Sequence, residues 1–303
     1  MDMNTIIRDQ NTNAKGKEGN FAVHITIKNM SKVWFITGAS KGMGLEVTKA
    51  VLANGDKVIA TSRNITEQLA KLGKEYKNLL PLKVDITNET AVKTAIETGI
   101  KIFGQIDVVL NNAGYYLVGS LEEISDEEFR QTMDVNVFGM CNVIRNSVPY
   151  LRQQQSGHMI NIASNMGYIG YANTGSYNAS KFAVIGLSEA LAQEVQPFGV
   201  HVTVVAPGMF RTSFMSDTTL AVVKNIIPDY HVAEHVKILH SIDGNQPGDP
   251  AQLAKVLLEI SQLPEPPLHL PLGTDSYESI LEHRKKEAIE LEQWKHLSLA
   301  TDF

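Results

Sequence analysis

The sequence predicts an α/β chain: a Rossmann-type, doubly wound parallel sheet of about seven strands, flanked by helices on both faces, in a single domain. Three observations carry this reading. Short apolar runs alternate with helix-period segments from residue 33 onward. Runs such as Val108-Val-Leu110 and Val202-Thr-Val-Val205 are apolar on both faces, as parallel strands covered on each side must be. A glycine-rich turn joins the first run to the first helix.

The strands are expected at Val33–Thr37, Lys57–Ser62, Leu79–Val84, Ile106–Leu110, Gly157–Ala163 and Val200–Val205, with a last one at Leu268-His-Leu270. The first helix should end near Asn54, with Gly55 as its stop. Further helices are expected over 65–76, 88–103, 126–154 and 176–196. Ser125-Asp-Glu-Glu128 is a capping-box signature for the third of these. Asp249-Pro250 should open another, and a long charged helix over 275–296 closes the chain. In that last helix Ile280, Leu281, Ala288, Ile289, Leu291 and Trp294 ask for something to dock against. Residues 1–30 read as a polar N-terminal extension, with Phe21–Ile27 a candidate strand or arm, and 274–303 as a C-terminal helical extension.

Bulk chemistry narrows the function. A net charge of −6 gives no basic field for nucleic acid or an anionic membrane. One cysteine, Cys141, excludes an intrachain disulfide, and no apolar run has membrane-spanning length, so the cytoplasm is the default location. The glycosylation-like triplets at Asn64, Asn88 and Asn178 are read as chance.

Thr37-Gly-Ala-Ser-Lys-Gly-Met-Gly44 lies between the first strand and the first helix. Gly38 permits a tight turn, Gly42 a close approach to a pyrophosphate, and Gly44 close helix–sheet packing. The helix N-terminus adds unpaired N–H groups and partial positive charge, so Ser40, Lys41 and Met43 join the three glycines as cofactor-binding candidates. The second strand ends Ala60-Thr-Ser-Arg63, without the acid that would hold the ribose hydroxyls of NAD. Arg63, with Lys41 beside it, suits the extra phosphate of NADP. The expected cofactor is therefore NADP(H).

Ser176-Tyr-Asn-Ala-Ser-Lys181 places Tyr177 and Lys181 four apart on one helix face. Reducing a carbonyl needs a proton donor where the oxyanion forms, and oxidising an alcohol needs a base there. A free phenol titrates near 10, and a neighbouring ammonium would lower that value. The spacing Gly-x-x-x-Gly-x-Gly and the motifs that follow it resemble the short-chain dehydrogenase/reductase family over about residues 31–273.

The resemblance implies further roles. Ser164, thirteen residues before Tyr177, would steady charge on the substrate oxygen, and Asn136 would hold a water against Lys181 to complete a proton relay. Asp85 matches the acid that contacts adenine, although a cap for the following helix is the other reading. In Asn111-Asn-Ala-Gly114, Asn111 is expected to support the backbone, with Asn112, Ala113 and Gly114 lining the cofactor cleft. Pro207 should stop strand pairing, Gly208 should let the chain pass the nicotinamide, and Thr212 should bond its carboxamide. Residues 213–248 would form the substrate lid. The helices over 126–154 and 176–196 would build a homodimer or homotetramer.

Met166, Tyr168, Ile169, Tyr171 and Met209–Ser216, with Tyr115, Tyr116 and Leu117, favour an apolar or aromatic carbonyl or secondary alcohol as substrate. Two other functions compete: a nucleotide-binding module without turnover, and an epimerase or dehydratase that keeps its cofactor. His231-Val-Ala-Glu-His235 spells an inverted zinc-protease pattern, but it falls in the lid segment, and no metal is expected.

Overall fold

Strand β1, Val33–Thr37, is buried along its whole length, and its alternate side chains feed two different cores. The computed structural model describes residues 31–216 and 220–302; the strand or arm expected at Phe21–Ile27 lies outside them. Trp34 and Ile36 enter one core, with Val47 and Val51 of helix α1 (Gly42–Ala53) and Leu253 and Leu257 of α8 (Pro250–Ile260). Val33 and Phe35 enter the other, among α3 (Glu89–Phe103), α5 (Gly139–Gln154) and α6 (Gly175–Val195). Each such side chain contributes up to about 1.5–3 kcal/mol on burial, so a strand apolar on both faces is fixed from both sides.

The main sheet is wholly parallel, with order β3-β2-β1-β4-β6-β7-β9. Its other strands are β2 Lys57–Ser62, β3 Leu79–Lys83, β4 Val108–Asn111, β6 Gly157–Ile162, β7 Val200–Pro207 and β9 His269–Leu272. The chain winds outward from β1 to β3, returns to place β4 on the other side of β1, and winds outward again. The crevice where the order reverses, beyond the carboxyl ends of β1 and β4, is where such sheets bind ligands. Helix α2 (Glu67–Glu75) and α7 (Val232–Ile242) complete the shorter helices, and α9 (Thr274–Leu299) follows β9.

Two expectations need correction. The helix expected over 126–154 is two helices, α4 (Asp126–Met133) and α5, joined by a π-helical turn at Asp134–Phe138. The capping box at Ser125 and Glu128 is formed, so the start is as the sequence signals. The break is tertiary: the extra residue in the turn accompanies an inward Asn136, and Gly139 lies where a Cβ would be 2.7 Å from Ile86. Pro207 does not stop pairing, because it stays in register with Leu272 of β9. On its other side β6 has already ended opposite Val205, so no neighbour there asks the proline nitrogen for a hydrogen bond.

A separate two-stranded parallel sheet pairs β5 (Leu117–Val118) with β8 (Ala221–Val222). It ties the segment after β4 to the region expected to be the lid, and strands of two residues are too short to show a period.

Candidate functional site

The glycine loop is shaped by what crowds it. Gly38 and Gly42 have φ of +65° and +56°, conformations that cost an L side chain about 1–2 kcal/mol. A Cβ on Gly44 would lie 2.4 Å from the Gly38 carbonyl oxygen and 2.5 Å from Asn112 Nδ2. Gly44 is thus required by the loop's own backbone and by Asn112, rather than by the sheet. Helix α1 follows Lys41, which gives it no side-chain cap, and has no acid in its first turn. Its first N–H groups and the positive end of its dipole remain suited to an anion.

The ends of β1 and β4 are stitched together. Asn112 Nδ2 donates to Thr37 O at 3.0 Å and to Gly38 O at 3.2 Å. Thr37 Oγ1 accepts from the backbone N of Asn112 and of Ala113, at 3.0 and 3.1 Å. The backbone support expected of Asn111 therefore belongs to Asn112. Asn111 instead donates to Asn161 Oδ1 at 2.8 Å, and Asn161 passes the chain on to Ser188 of α6 at 2.9 Å.

These residues border a cleft that takes in Ser40, Lys41, Gly42, Met43, Arg63, Asp85, Asn112, Ala113, Gly114 and Thr212. Arg63 follows β2, and Ser62 before it shares a 2.7 Å hydroxyl contact with Ser40. Asp85 is not the cap of α3. That role is taken by Asn88, which accepts from Ala91 N at 3.0 Å, while Asp85 accepts from Thr87 N and Oγ1. Among the described residues lining this cleft, Lys41 and Arg63 face a single carboxylate, Asp85, so its charge favours an anion.

An adjoining pocket shares Met43, Asn112, Gly114, Thr212 and Phe214 with the cleft and adds Ser164, Tyr177, Lys181, Pro207 and Gly208. The structure thus brings the expected cofactor residues, and Ser164, Tyr177 and Lys181 of the expected reacting residues, to two cavities that share lining residues; Asn136 lines neither. Ser164 Oγ donates to Asn165 Oδ1 at 3.1 Å and accepts from Met166 N at 3.2 Å, and lines this pocket with Tyr177. Lys181 Nζ lies 5.6 Å from the centre of the Tyr177 ring and donates to Ile162 O at 2.8 Å. Burial pulls the Lys181 ammonium down to about 8. Burial also pushes the Tyr177 phenol above its ordinary value, against the smaller opposing effect of Ser164. The sequence argument expected the ammonium and an oxidised nicotinamide together to lower the phenol; in the protein alone, desolvation is the largest influence on it.

The Asn136 side chain is hydrogen-bonded within the fold. Its Oδ1 accepts from Tyr115 N, and its Nδ2 donates to Tyr115 O and to Ser180 Oγ, at 3.0, 3.0 and 3.1 Å. It still borders the lysine's site, because a Cβ on Gly114 would lie 3.0 Å from Asn136 Oδ1 and 3.8 Å from Lys181 Nζ. Thr212 Oγ1 accepts from Phe214 N at 3.3 Å.

Several supports escaped the sequence reading. Asn178 donates to Met166 O and Ile169 O, at 2.7 and 2.8 Å, and accepts from Thr174 and Tyr171, holding the loop after Ser164 against α6. Asp275, at the start of α9, accepts from Met209 N at 2.7 Å, and a Cβ on Gly208 would collide with its carboxylate. Ser276 donates to Ala206 O at 2.7 Å. The first turn of α9 therefore props the loop after β7. Two acids anchor the segment around β8: Glu128 accepts from Lys224 N at 3.1 Å, and Glu123 from Ile227 N at 2.7 Å. His231 precedes α7 in a left-handed conformation, so it does not share a helical face with His235.

Residues 32–221 match the short chain dehydrogenase family model. Oxidoreductase BOA17 of Botryotinia fuckeliana is 37% identical over 277 residues, covering 90% of this chain and 100% of its own length. A short-chain dehydrogenase from Streptomyces avermitilis superposes with a TM-score of 0.84 at 34% identity, covering 90% of this chain and 100% of that one. The structure of ElxO with NADP bound has a TM-score of 0.67 at 26% identity, with coverage of 80% and 97%.

Proposed function

Because this chain belongs to the short-chain dehydrogenase/reductase family, we propose that it is an NADP(H)-dependent oxidoreductase acting on a carbonyl or secondary alcohol, with Tyr177 as its acid–base. The observation that carries the reading is the convergence of Ser164, Tyr177 and Lys181 in a pocket continuous with the glycine-loop cleft.

A bound nicotinamide dinucleotide supplies the hydride. The residues that fit it are those of the cleft: the α1 N-terminus for the pyrophosphate, Asp85 for the adenine, and Arg63 with Lys41 for the phosphate of NADP. The similarity to ElxO, whose structure has NADP bound, supports the same cofactor. The remaining chemistry belongs to side chains. A phenol held above its ordinary pKa is protonated at neutral pH, the form that donates. As the carbonyl carbon gains its hydride, Tyr177 gives its proton to the carbonyl oxygen, and Ser164 donates a hydrogen bond to that same oxygen. Lys181, with a pKa of about 8, sits where it stabilises the resulting phenolate until the proton is replaced from solvent. The balance is one carbonyl, one reduced cofactor and one proton giving one alcohol and one oxidised cofactor.

Exposed Phe138, Phe182 and Leu187 lie on or beside α5 and α6, which supports a homodimer or homotetramer through those helices; light scattering of the purified protein measures it. Among the described residues no helix is long and apolar enough to cross a membrane. Turnover is tested by NADPH consumption over a carbonyl panel. Tyr177→Phe should keep NADPH binding and lose at least about a hundredfold in kcat. Retained turnover in that variant refutes the acid–base assignment. Arg63→Asp should reverse the NADPH over NADH preference in kcat/KM, and equal wild-type values for the two cofactors refute the NADP reading.

A further inference from the structure

The place of the Ser164 hydroxyl depends on the short turn that follows it, Asn165–Gly167. Ser164 Oγ accepts from Met166 N at 3.2 Å, and Ser164 O accepts from Gly167 N at 2.9 Å. One side of the turn rests on α6, where a Cβ on Gly167 would lie 2.7 Å from Lys181 O. The other side ends in Tyr168, whose hydroxyl meets His269 Nδ1 at 2.7 Å. His269 opens β9, and its Nε2 lies 3.3 Å from Glu189 Oε1 of α6. The Arg284 guanidinium of α9 lies 5.2 Å from the centre of the Tyr168 ring. Three elements far apart in sequence therefore converge on a tyrosine four residues after Ser164.

Chemistry gives this junction a direction. An ionised carboxylate only accepts, so the Nε2 facing Glu189 carries the imidazole proton and Nδ1 is left to accept from the phenol. Burial lowers the imidazole below its ordinary value, with Glu189 opposing and Arg284 adding to the shift, so the ring is neutral at pH 7. Burial pushes the Tyr168 phenol up to about 12, so it keeps the proton that it donates. Tyr168, expected from the sequence to border the substrate pocket, lines neither cavity. Its influence on the reaction has to pass through the turn.

We propose that Tyr168 and His269 are positioning residues for Ser164: their hydrogen bond fixes the outer side of the turn and so the aim of the serine hydroxyl at the substrate oxygen. Displacing a catalytic group by about 1 Å costs on the order of a hundredfold in rate, so a partial loosening of this turn is enough to be read in kcat. The same bond joins the turn to the strand that leads into α9, and Arg284 over the Tyr168 ring adds a second link to that helix.

This inference rests on the carbonyl reduction proposed above, and the experiment separates the two. Tyr168→Phe removes the bond. His269→Asn keeps an acceptor near the place of Nδ1, whereas His269→Gln keeps a polar group only near the place of Nε2. With NADPH and 4-nitrobenzaldehyde, Tyr168→Phe and His269→Gln should each lower kcat by about fivefold or more, with the Kd for NADPH unchanged. His269→Asn should keep the wild-type kcat. In a Ser164→Ala background, Tyr168→Phe should have no further effect on kcat. An equal loss in both backgrounds overturns the inference, because it shows a general disturbance rather than placement of Ser164. So does a His269→Asn protein as slow as His269→Gln. Wild-type rates in Tyr177→Phe overturn the reduction mechanism itself. Hydrogen exchange gives a readout independent of turnover: the amides of Met166 to Ile169 should exchange faster in Tyr168→Phe and His269→Gln, and at the wild-type rate in His269→Asn. Unchanged exchange in Tyr168→Phe overturns the role of the bond whatever the rates.

Discussion

Adding one methyl group at Gly44 should damage the glycine loop more than its helical position suggests. The new Cβ would sit 2.4 Å from Gly38 O, about 1 Å inside ordinary van der Waals contact. It would also sit 2.5 Å from Asn112 Nδ2, and that amide cannot swing aside without giving up its bonds to Thr37 O and Gly38 O. Overpacking costs about 1–3 kcal/mol, and weakening the two bonds adds roughly 1 kcal/mol. Alanine's better helix propensity returns about 1 kcal/mol. The net loss is about 1–3 kcal/mol, equivalent to roughly 2–10 °C in Tm for a domain of this size. Gly42→Ala is the matched contrast. Its Cβ would meet only Thr212, at 3.5 Å, so the φ of +56° is its main cost, about 1–2 kcal/mol. Gly42→Ala should therefore be the milder change in the apo protein, while raising the KM for NADPH because its methyl enters the anion cradle. Thermal melts of both apo variants, with NADPH kinetics, test the account. A Gly44→Ala protein melting within about 1 °C of wild type would refute the crowding argument.

Other consequences follow from buried charge. Folding lowers Lys181 from 10.5 to about 8, so the unfolded chain holds the proton more tightly between those values. Stability therefore falls as the pH drops from about 10.5 to 8 and stays at the reduced level below. Lys181→Met should raise the apo Tm at pH 7, by on the order of 2 kcal/mol in stability after losing the bond to Ile162 O, and abolish turnover; a destabilised Met variant contradicts this. Burial pushes Glu128 up, but bonds from Ser125 and Lys224 pull it further down, to a net value below the ordinary carboxylate range. That contribution is intact above about pH 4.5 and is lost as the pH falls through the folded value. Glu128→Gln should cost about 1 kcal/mol at pH 7 and shrink the wild type's loss of Tm on acidification to pH 4, which melts at both pH values will show. Asp275→Ala, which frees Met209 N, should raise the KM for NADPH with the melting of β1 to β4 little changed; hydrogen exchange across those strands separates the two effects.

How much of this was legible depended on the distance over which each signal acts. The loop Thr37 to Gly44, the capping box at Ser125 and the Tyr177/Lys181 spacing are local patterns, and the structure forms each of them where the sequence wrote it. What the sequence hid is set by partners far along the chain. Nothing near Asn111 or Asn112 says which side chain will turn to Thr37 and which to Asn161, because both strands must first lie side by side. The π-turn at 134–138 has the composition of an ordinary helix, and its inward Asn136 acquires a purpose only once Tyr115 and Ser180 are beside it. Asp275 looks like surface charge until β9 delivers it to Gly208. The direction of the Tyr177 shift belongs to the same class. The sequence supplied the nearby cation, but the degree of desolvation is a property of Tyr116, Phe214 and the segment packed over them. A close-packed apolar cover therefore raises the phenol, and any change that loosens the cover should lower the Tyr177 pKa toward its ordinary value.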